Sequence, residues 1–257
     1  VPSTSPAVQK KHTKSEKTPT FRLMAFIAIP PMQAIAKLVL HNGDKVPKTG
    51  AFVLAPNHYS EIDPIIMGMA LWKLGRAPRF LAKASLFKIP VVGALLRRSG
   101  QVPVERAGQT RGSDPIAGAR RISQDGLAVI IYPEGSLTRD PDLWPMRGKT
   151  GAVRTALQQD IPVIPAAHWG TQKVMPRYGK KISLFPRKTI HIVFGDPVDL
   201  SAFRGRGLDS KTLSEATDVV MQSITKLLEG LRDETAPPTR WDPSKNNQAE
   251  TGRFDQS

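Results

Sequence analysis

Hydrophobic and polar positions divide this chain into four stretches. Residues 1–19, VPSTSPAVQKKHTKSEKTP, mix Pro, Ser, Thr and Lys with almost no large apolar side chain. Ordering them would cost entropy without burial in return, so they read as a disordered basic arm. Residues 21–40, FRLMAFIAIPPMQAIAKLVL, are the most apolar, but Arg22, Pro30, Pro31 and Lys37 interrupt them and leave too few uncharged residues for an ordinary membrane span. The prolines predict two short helices broken at Pro30 and Pro31, within an element covering 20–42. These either lie in a membrane interface, with Arg22 and Lys37 snorkelling towards phosphates, or pack on the core as a helix pair.

From residue 51 the pattern alternates. AFVLA (51–55), RFLAK (79–83), QVPVER (101–106), LAVIIYP (127–133), IPVIPAAHW (161–169) and TIHIVFGDPV (189–198) read as strands. Between them, IDPIIMGMALWKLG (62–75), a segment restarted or interrupted at Pro90, DPIAGARRISQDG (114–126) and KTGAVRTALQQD (149–160) read as helices. Residues 213–233 form a long amphipathic helix able to cover a sheet. Crossover spacing of this kind predicts one α/β domain over 20–234, with a central, mostly parallel mixed sheet flanked by helices and an N-terminal apolar membrane-contact element. Beyond residue 235 the composition returns to Pro, Asn, Lys and Gln, which reads as a flexible tail over 235–257.

Charge changes the picture. Of 257 residues, 37 are Lys or Arg and 22 are Asp or Glu, and the net +15 points to nucleic acid or to an anionic lipid surface. Aromatics are only 6%, and neither a recognition-helix signature nor a zinc pattern is present, so no specific nucleic-acid partner is expected. There is no Cys, which excludes a disulfide framework and a thiol nucleophile. His12, His41, His58, His168 and His191 lack paired ligand spacing, so no metal is expected. The polar, basic start and the missing small-residue cleavage site argue against a signal peptide.

The most informative constellation is Asn57, His58, Tyr59, Ser60, Glu61, Ile62 and Asp63, directly after a predicted strand and before a helix. In an α/β sheet that is the carboxyl edge, where sites form. Asp63 can hold one imidazole nitrogen while the other faces a substrate hydroxyl, making His58 a general base; the alternative is a helix cap at Asp63 beside a satisfied His58. Five residues at about 100° each do not share a helix face, so part of the spacing must be turn. With no Cys and no G-x-S-x-G, the acceptor alcohol itself is the expected nucleophile. Arg106 ends one strand, and Glu134, Gly135 and Ser136 follow another, suggesting one polar cleft in which Arg106 grips a phosphate and Glu134 holds a hydroxyl. Arg139, Arg147 and Lys149 add positive charge just downstream.

These residues resemble the glycerolipid acyltransferase family, typified by 1-acyl-glycerol-3-phosphate acyltransferases. Asn57, His58 and Asp63 meet its N-H-x-x-x-x-D block, and the stretch Gln101 to Arg106 meets its phosphate-binding block. Glu134, Gly135 and Ser136 meet part of E-G-[ST]-R, and Ile161, Pro162, Val163, Ile164 and Pro165 meet its Pro-bounded aliphatic block. Lys83, before Pro90 and Gly93, and Lys149, before Gly151, also fit the pattern. The resemblance spans roughly residues 30–200. One departure is Leu137 where the family has Arg; either Arg139 or Arg147 substitutes for it, or the acceptor has changed.

The resemblance implies catalytic His58 and Asp63, with Asn57, Lys83, Arg106, Glu134, Gly135, Ser136, Arg139 and Lys149 binding substrate. It implies acyl transfer from a thioester on coenzyme A or acyl carrier protein to lysophosphatidic acid, with no cofactor beyond that co-substrate. A sugar hydroxyl of a glycolipid is the alternative acceptor; a non-catalytic basic binding protein is the alternative class. The stretch 86–96, LFKIPVVGALL, suits either the wall of an acyl groove or ordinary core, and His168 either a structural role or the cleft lining. The expected location is the cytoplasmic face of the cell membrane, peripheral or monotopic, against anionic lipid.

Overall fold

The computed structural model describes residues 16–104 and 115–249. Its centre is a seven-stranded sheet: β1 (Ala36–His41), β2 (Phe52–Pro56), β3 (Pro78–Lys83), β4 (Val102–Val104), β5 (Ala128–Ile130), β6 (Val163–Trp169) and β7 (Lys188–Phe194). The order is β1-β7-β6-β2-β5-β3-β4. All neighbours are parallel except β6 and β7, so the sheet is mixed and mostly parallel. β2 lies in the middle, with Val53, Leu54 and Ala55 fully buried. That burial on both faces is why its sequence is a continuous apolar run and not an alternation.

The helices are α1 (Pro19–Ile35), α2 (Asp63–Lys73), α3 (Pro90–Arg98), α4 (Pro115–Gln124), α5 (Gly151–Gln159), the short α6 (Thr171–Val174) and α7 (Ser210–Arg232). Met32 of α1 and Ile66, Met67 and Ala70 of α2 pack on one sheet face with Leu54, Ile130 and Ile192. Ala152, Val153 and Ala156 of α5 and Leu213, Ala216, Val220 and Ile224 of α7 cover the other with Val53, Val129 and Val163. Asp209 caps α7 by accepting the Thr212 N–H at 2.8 Å.

Two expectations need correction. The apolar N-terminal segment is not a pair of helices broken at Pro30 and Pro31, but one helix that runs through both prolines and then turns into a strand. Each proline deprives only one earlier carbonyl, that of Phe26 or Ile27, of its helical donor. Both residues are exposed, so water can take the donor's place. The chain then becomes β1 because β7 offers a partner in register, Ala36 opposite Lys188 through His41 opposite Val193. The segment after α7 does not trail away loosely over its described part. The Arg147 N–H donates to the Trp241 carbonyl at 2.8 Å, Arg240 pairs with Asp218 at 2.6 Å, and Pro243 is buried.

The basic arm is tied down where its description begins. Arg76, only 1% exposed, donates to the carbonyls of Pro47, Gly50 and Gly126 and pairs with Glu16 at 2.8 Å. Three loops and the root of α1 therefore meet on one guanidinium.

Candidate active site

β2 is flanked by β5 and β6, both parallel to it, so three carboxyl ends open on one edge of the sheet. The segment after β2 supplies His58, the one after β5 supplies Glu134, and β6 itself supplies His168. Pro64, in the first turn of α2, fixes the helix start, so residues 57–62 form the turn and Asp63 is the first helical residue.

Asp63 does not cap its helix forward. Its Oδ2 reaches back to accept the N–H groups of Tyr59 and Ser60, both at 2.8 Å, and His58 Nδ1 at 3.0 Å. Its Oδ1 accepts the Thr171 hydroxyl at 2.7 Å. Burial pushes this carboxyl up, but in the acid range where it titrates the imidazolium charge of His168 and the hydrogen bonds from His58 and Thr171 outweigh burial and hold Asp63 below its ordinary value. It is thus ionised, and His58 takes the tautomer with hydrogen on Nδ1. The opposite nitrogen, Nε2, has no hydrogen-bond partner among the described residues, and the ring is partly exposed. Tyr132 stacks on it with ring centres 4.0 Å apart.

Glu134 grips the same turn from the other side. Its Oε1 accepts the His58 N–H at 2.9 Å and its Oε2 the Met146 N–H at 3.0 Å. Burial pushes its carboxyl up to about 8, against the pull of those two N–H groups. Gly135 sits at φ +71°, so this turn favours glycine for its conformation, and a Cβ there would also push the flexible Lys149 side chain, 2.8 Å away, aside. The Thr138 N–H donates to the His58 carbonyl at 2.6 Å, closing the loop over the site.

Asn57 and His168 are bound reciprocally. Asn57 Nδ2 donates to the His168 carbonyl at 3.2 Å, the His168 N–H donates to Asn57 Oδ1 at 2.9 Å, and His168 Nε2 lies 3.0 Å from the Asn57 carbonyl. Burial holds His168 below its ordinary value, so it is neutral, 3.7 Å from Asp63. Asn57 is therefore occupied with the protein itself and anchors the turn.

The cationic candidates scatter. Arg106 lies outside the described residues. Lys83 ends β3, opposite Val104. Ser136 Oγ bonds to the adjacent Leu137 carbonyl at 3.4 Å, and Leu137 is buried. Arg139 does not open into solvent: it is 2% exposed, and its Nη1 donates to the Tyr178 hydroxyl at 3.0 Å. Arg147 is exposed and pairs with Asp242 at 3.6 Å. The half-buried Lys149 donates its backbone N–H to the Pro133 carbonyl at 2.6 Å.

Sequence reasoning missed Arg177, Thr171 and Tyr132. Arg177 Nη1 donates to the carbonyls of Thr138 and Asp140 at 2.7 and 2.6 Å, and so clamps the loop carrying Glu134. No local pattern marks it, because its partners are 37 to 39 residues away. His41 and His191, which looked dispersed, meet across β1 and β7 at 3.2 Å. Among the described residues no group of three or more His, Asp or Glu gathers as a metal site would require.

A His–Asp dyad at the carboxyl edge of a mixed α/β sheet, gripped by a buried glutamate from the neighbouring strand, defines the class of site. The chain matches the Acyltransferase family over residues 37–169 and belongs to it. Among its relatives, a chloroplastic 1-acyl-sn-glycerol-3-phosphate acyltransferase of Brassica napus is 32% identical over 48% of this chain and 34% of that protein. The Bacillus subtilis 1-acyl-sn-glycerol-3-phosphate acyltransferase is 29% identical over 73% of this chain and 86% of its own length. The chain thus spans about a third of the plastid relative and most of the bacterial one. The crystal structure of the 1-acyl-sn-glycerophosphate acyltransferase of Thermotoga maritima has the same fold, with a TM-score of 0.61 over 90% of this chain and 86% of that one at 20% identity.

Proposed function

We propose that this protein transfers a fatty acyl group from acyl-coenzyme A or acyl carrier protein to the free hydroxyl of 1-acyl-glycerol-3-phosphate, giving phosphatidic acid for phospholipid synthesis. The observation that carries this reading is the His58–Asp63 contact with Nε2 left over, in a member of the acyltransferase family. His58 Nε2 takes the hydroxyl proton as the oxygen attacks the thioester carbonyl. Asp63, held ionised, stabilises the imidazolium and keeps the ring oriented. When the tetrahedral intermediate collapses, the carbon–sulfur bond breaks and the departing thiolate takes the proton back from Nε2. Glu134 fixes the position of His58 through its backbone N–H. Lys83, Arg106 and Lys149 are the proposed phosphate contacts. Arg139, buried against Tyr178, shapes the loop over the site.

An apolar cavity of about 290 Å³ supports the acyl part of this reading. Its lining includes Pro64 and Ile65, which follow Asp63 in the chain, together with Phe21, Met24, Met69 and Phe80. Among the described residues no helix is long and apolar enough to cross a membrane. α1 nevertheless exposes Leu23, Phe26 and Ile27, which supports a peripheral or monotopic position at a membrane surface, and the face we propose is the cytoplasmic one.

The test is acyl transfer from labelled long-chain acyl-coenzyme A, with lysophosphatidic acid, glycerol 3-phosphate and a mannosylated lipid as competing acceptors. Lysophosphatidic acid is expected to be acylated, His58→Ala to abolish turnover and Arg106→Ala to raise KM. If the sugar lipid is acylated and Arg106→Ala is silent, the acceptor is wrong. If no acceptor is used, the catalytic assignment falls.

A further inference from the structure

We propose that residues 180–187, KKISLFPR, form a second membrane anchor that enters the surface of an anionic bilayer beside α1. This rests on the reading of α1 as an interfacial helix. Three large apolar side chains stand out within four residues: Ile182 is 46% exposed, Leu184 64% and Phe185 89%. The backbone of the segment is held to the body of the protein while these side chains remain exposed. The Ser183 N–H donates to the Val174 carbonyl at 2.7 Å, Lys188 Nζ to Ser183 Oγ at 2.7 Å, and Arg187 to the Ala36 carbonyl at 3.5 Å. Ala36 directly follows α1 and opens β1, so Arg187 adjoins the end of the helix whose Phe26 and Ile27 are 77% and 64% exposed.

Charge selects the occupant. No acidic residue occurs from Ile161 to Gly195, whereas Lys173, Arg177, Lys180, Lys181, Arg187 and Lys188 all do. None occurs from Lys17 to Gly43 either, around Arg22 and Lys37. Apolar tips flanked only by cations fit acyl chains below a layer of lipid phosphates. The chain leading into the loop is also tied to the site, since Ser60 Oγ donates to the Met175 carbonyl at 2.7 Å. A lipid-bound loop would therefore set the His58 turn at a fixed height above the bilayer.

The chain contains no Cys, so a single introduced thiol is a unique probe position. Phe185→Cys, Phe26→Cys and Arg154→Cys, the last exposed on α5, would each carry an environment-sensitive fluorophore and be mixed with phosphatidylcholine vesicles with or without phosphatidylglycerol. The expected result is a blue shift and quenching by spin-labelled acyl chains at 185 and at 26, none at 154, and weaker responses without phosphatidylglycerol. In a sedimentation assay, Leu184→Asp with Phe185→Asp should weaken vesicle binding roughly 10- to 100-fold at an unchanged thermal midpoint. A silent 185 with a responsive 26 would overturn the second anchor and leave α1 in place. Silence at both positions would overturn the interfacial reading of α1 as well, and equal response on neutral vesicles would overturn the electrostatic argument.

Discussion

The turn after β2 and the face made by α1 and residues 180–187 are built by opposite rules. Around His58, almost every polar group has a named partner: the Asp63 carboxylate alone takes four hydrogen bonds, and Glu134 ties two separate loops together. Among the described residues the exceptions include the partly exposed His58 Nε2 and, buried without a hydrogen-bond partner, the Tyr132 hydroxyl and His168 Nδ1. On the other face, large apolar side chains are exposed and the charges between them are all positive. Directional networks fail when one member is removed, because the remaining partners stay buried and unpaired. Apolar contact with a surface is roughly additive and degrades by increments. Substitutions in the two regions should differ accordingly in both size and kind.

The largest effect is expected at His58. His58→Ala should lower kcat for acyl transfer by about 10²- to 10⁴-fold, the usual range for a general base. Its thermal midpoint should stay near that of wild type, since the ring is partly exposed and its backbone N–H remains on Glu134. Asp63→Asn should also lower kcat by at least about 10²-fold, by upsetting the tautomer. Unlike His58→Ala it should cost about 1–3 kcal/mol of stability, because an amide cannot replace a carboxylate for all four donors. Chemical denaturation alongside steady-state kinetics separates the two; equal stability would break the picture of Asp63 as the hub.

Glu134 allows a test by pH. Its carboxyl is raised from 4.5 to about 8 in the fold, so above pH 4.5 the unfolded chain has released a proton that the folded one still holds. Stability on this account falls as pH rises from 4.5 and levels off above 8. His168, held below 6.5, works in the opposite direction but only below pH 6.5, where the unfolded chain binds the extra proton. The clean window is therefore pH 6.5 to 8. Wild type should lose unfolding free energy across it, and Glu134→Gln should show a shallower slope in denaturant titrations at three pH values.

Smaller effects are expected from Arg177→Ala, which frees the carbonyls of Thr138 and Asp140 and loosens the loop holding Glu134. A loss of about 1–3 kcal/mol in stability, with kcat falling more than KM rises, would mark it as a positioning residue. The smallest should come from Phe26→Ser alone. Vesicle binding should weaken by roughly tenfold with no change in the folded state, because this side chain contributes burial only when a surface is present.

The segment 57–63 was legible because its chemistry is local: a buried strand, a turn and a proline-started helix place His58 and Asp63 within five residues. The same holds for Glu134 and Gly135, where an apolar strand ends in an acid and a glycine. Local propensity, which counts the two missing donors, predicts a break in the helix over 19–35, whereas burial of Met32 and packing of Ile29 and Ile35 on the core offset them. Arg139 looked like an open cation in sequence and is a buried one in space. Its partner, Tyr178, lies 39 residues on, and nothing between them signals the contact.

The sequence by itself determined the alternating α/β order, the dyad at the end of β2 and the excess of positive charge, because each depends on neighbours within a few residues or on a simple sum. Only the tertiary structure decided that β1 pairs with β7, that His168 shares the Asp63 carboxylate, that Arg177 clamps the Glu134 loop and that residues 180–187 lie beside the end of α1. Those contacts join residues tens to more than a hundred positions apart, and they form only when strand order brings separate segments to the same edge of the sheet.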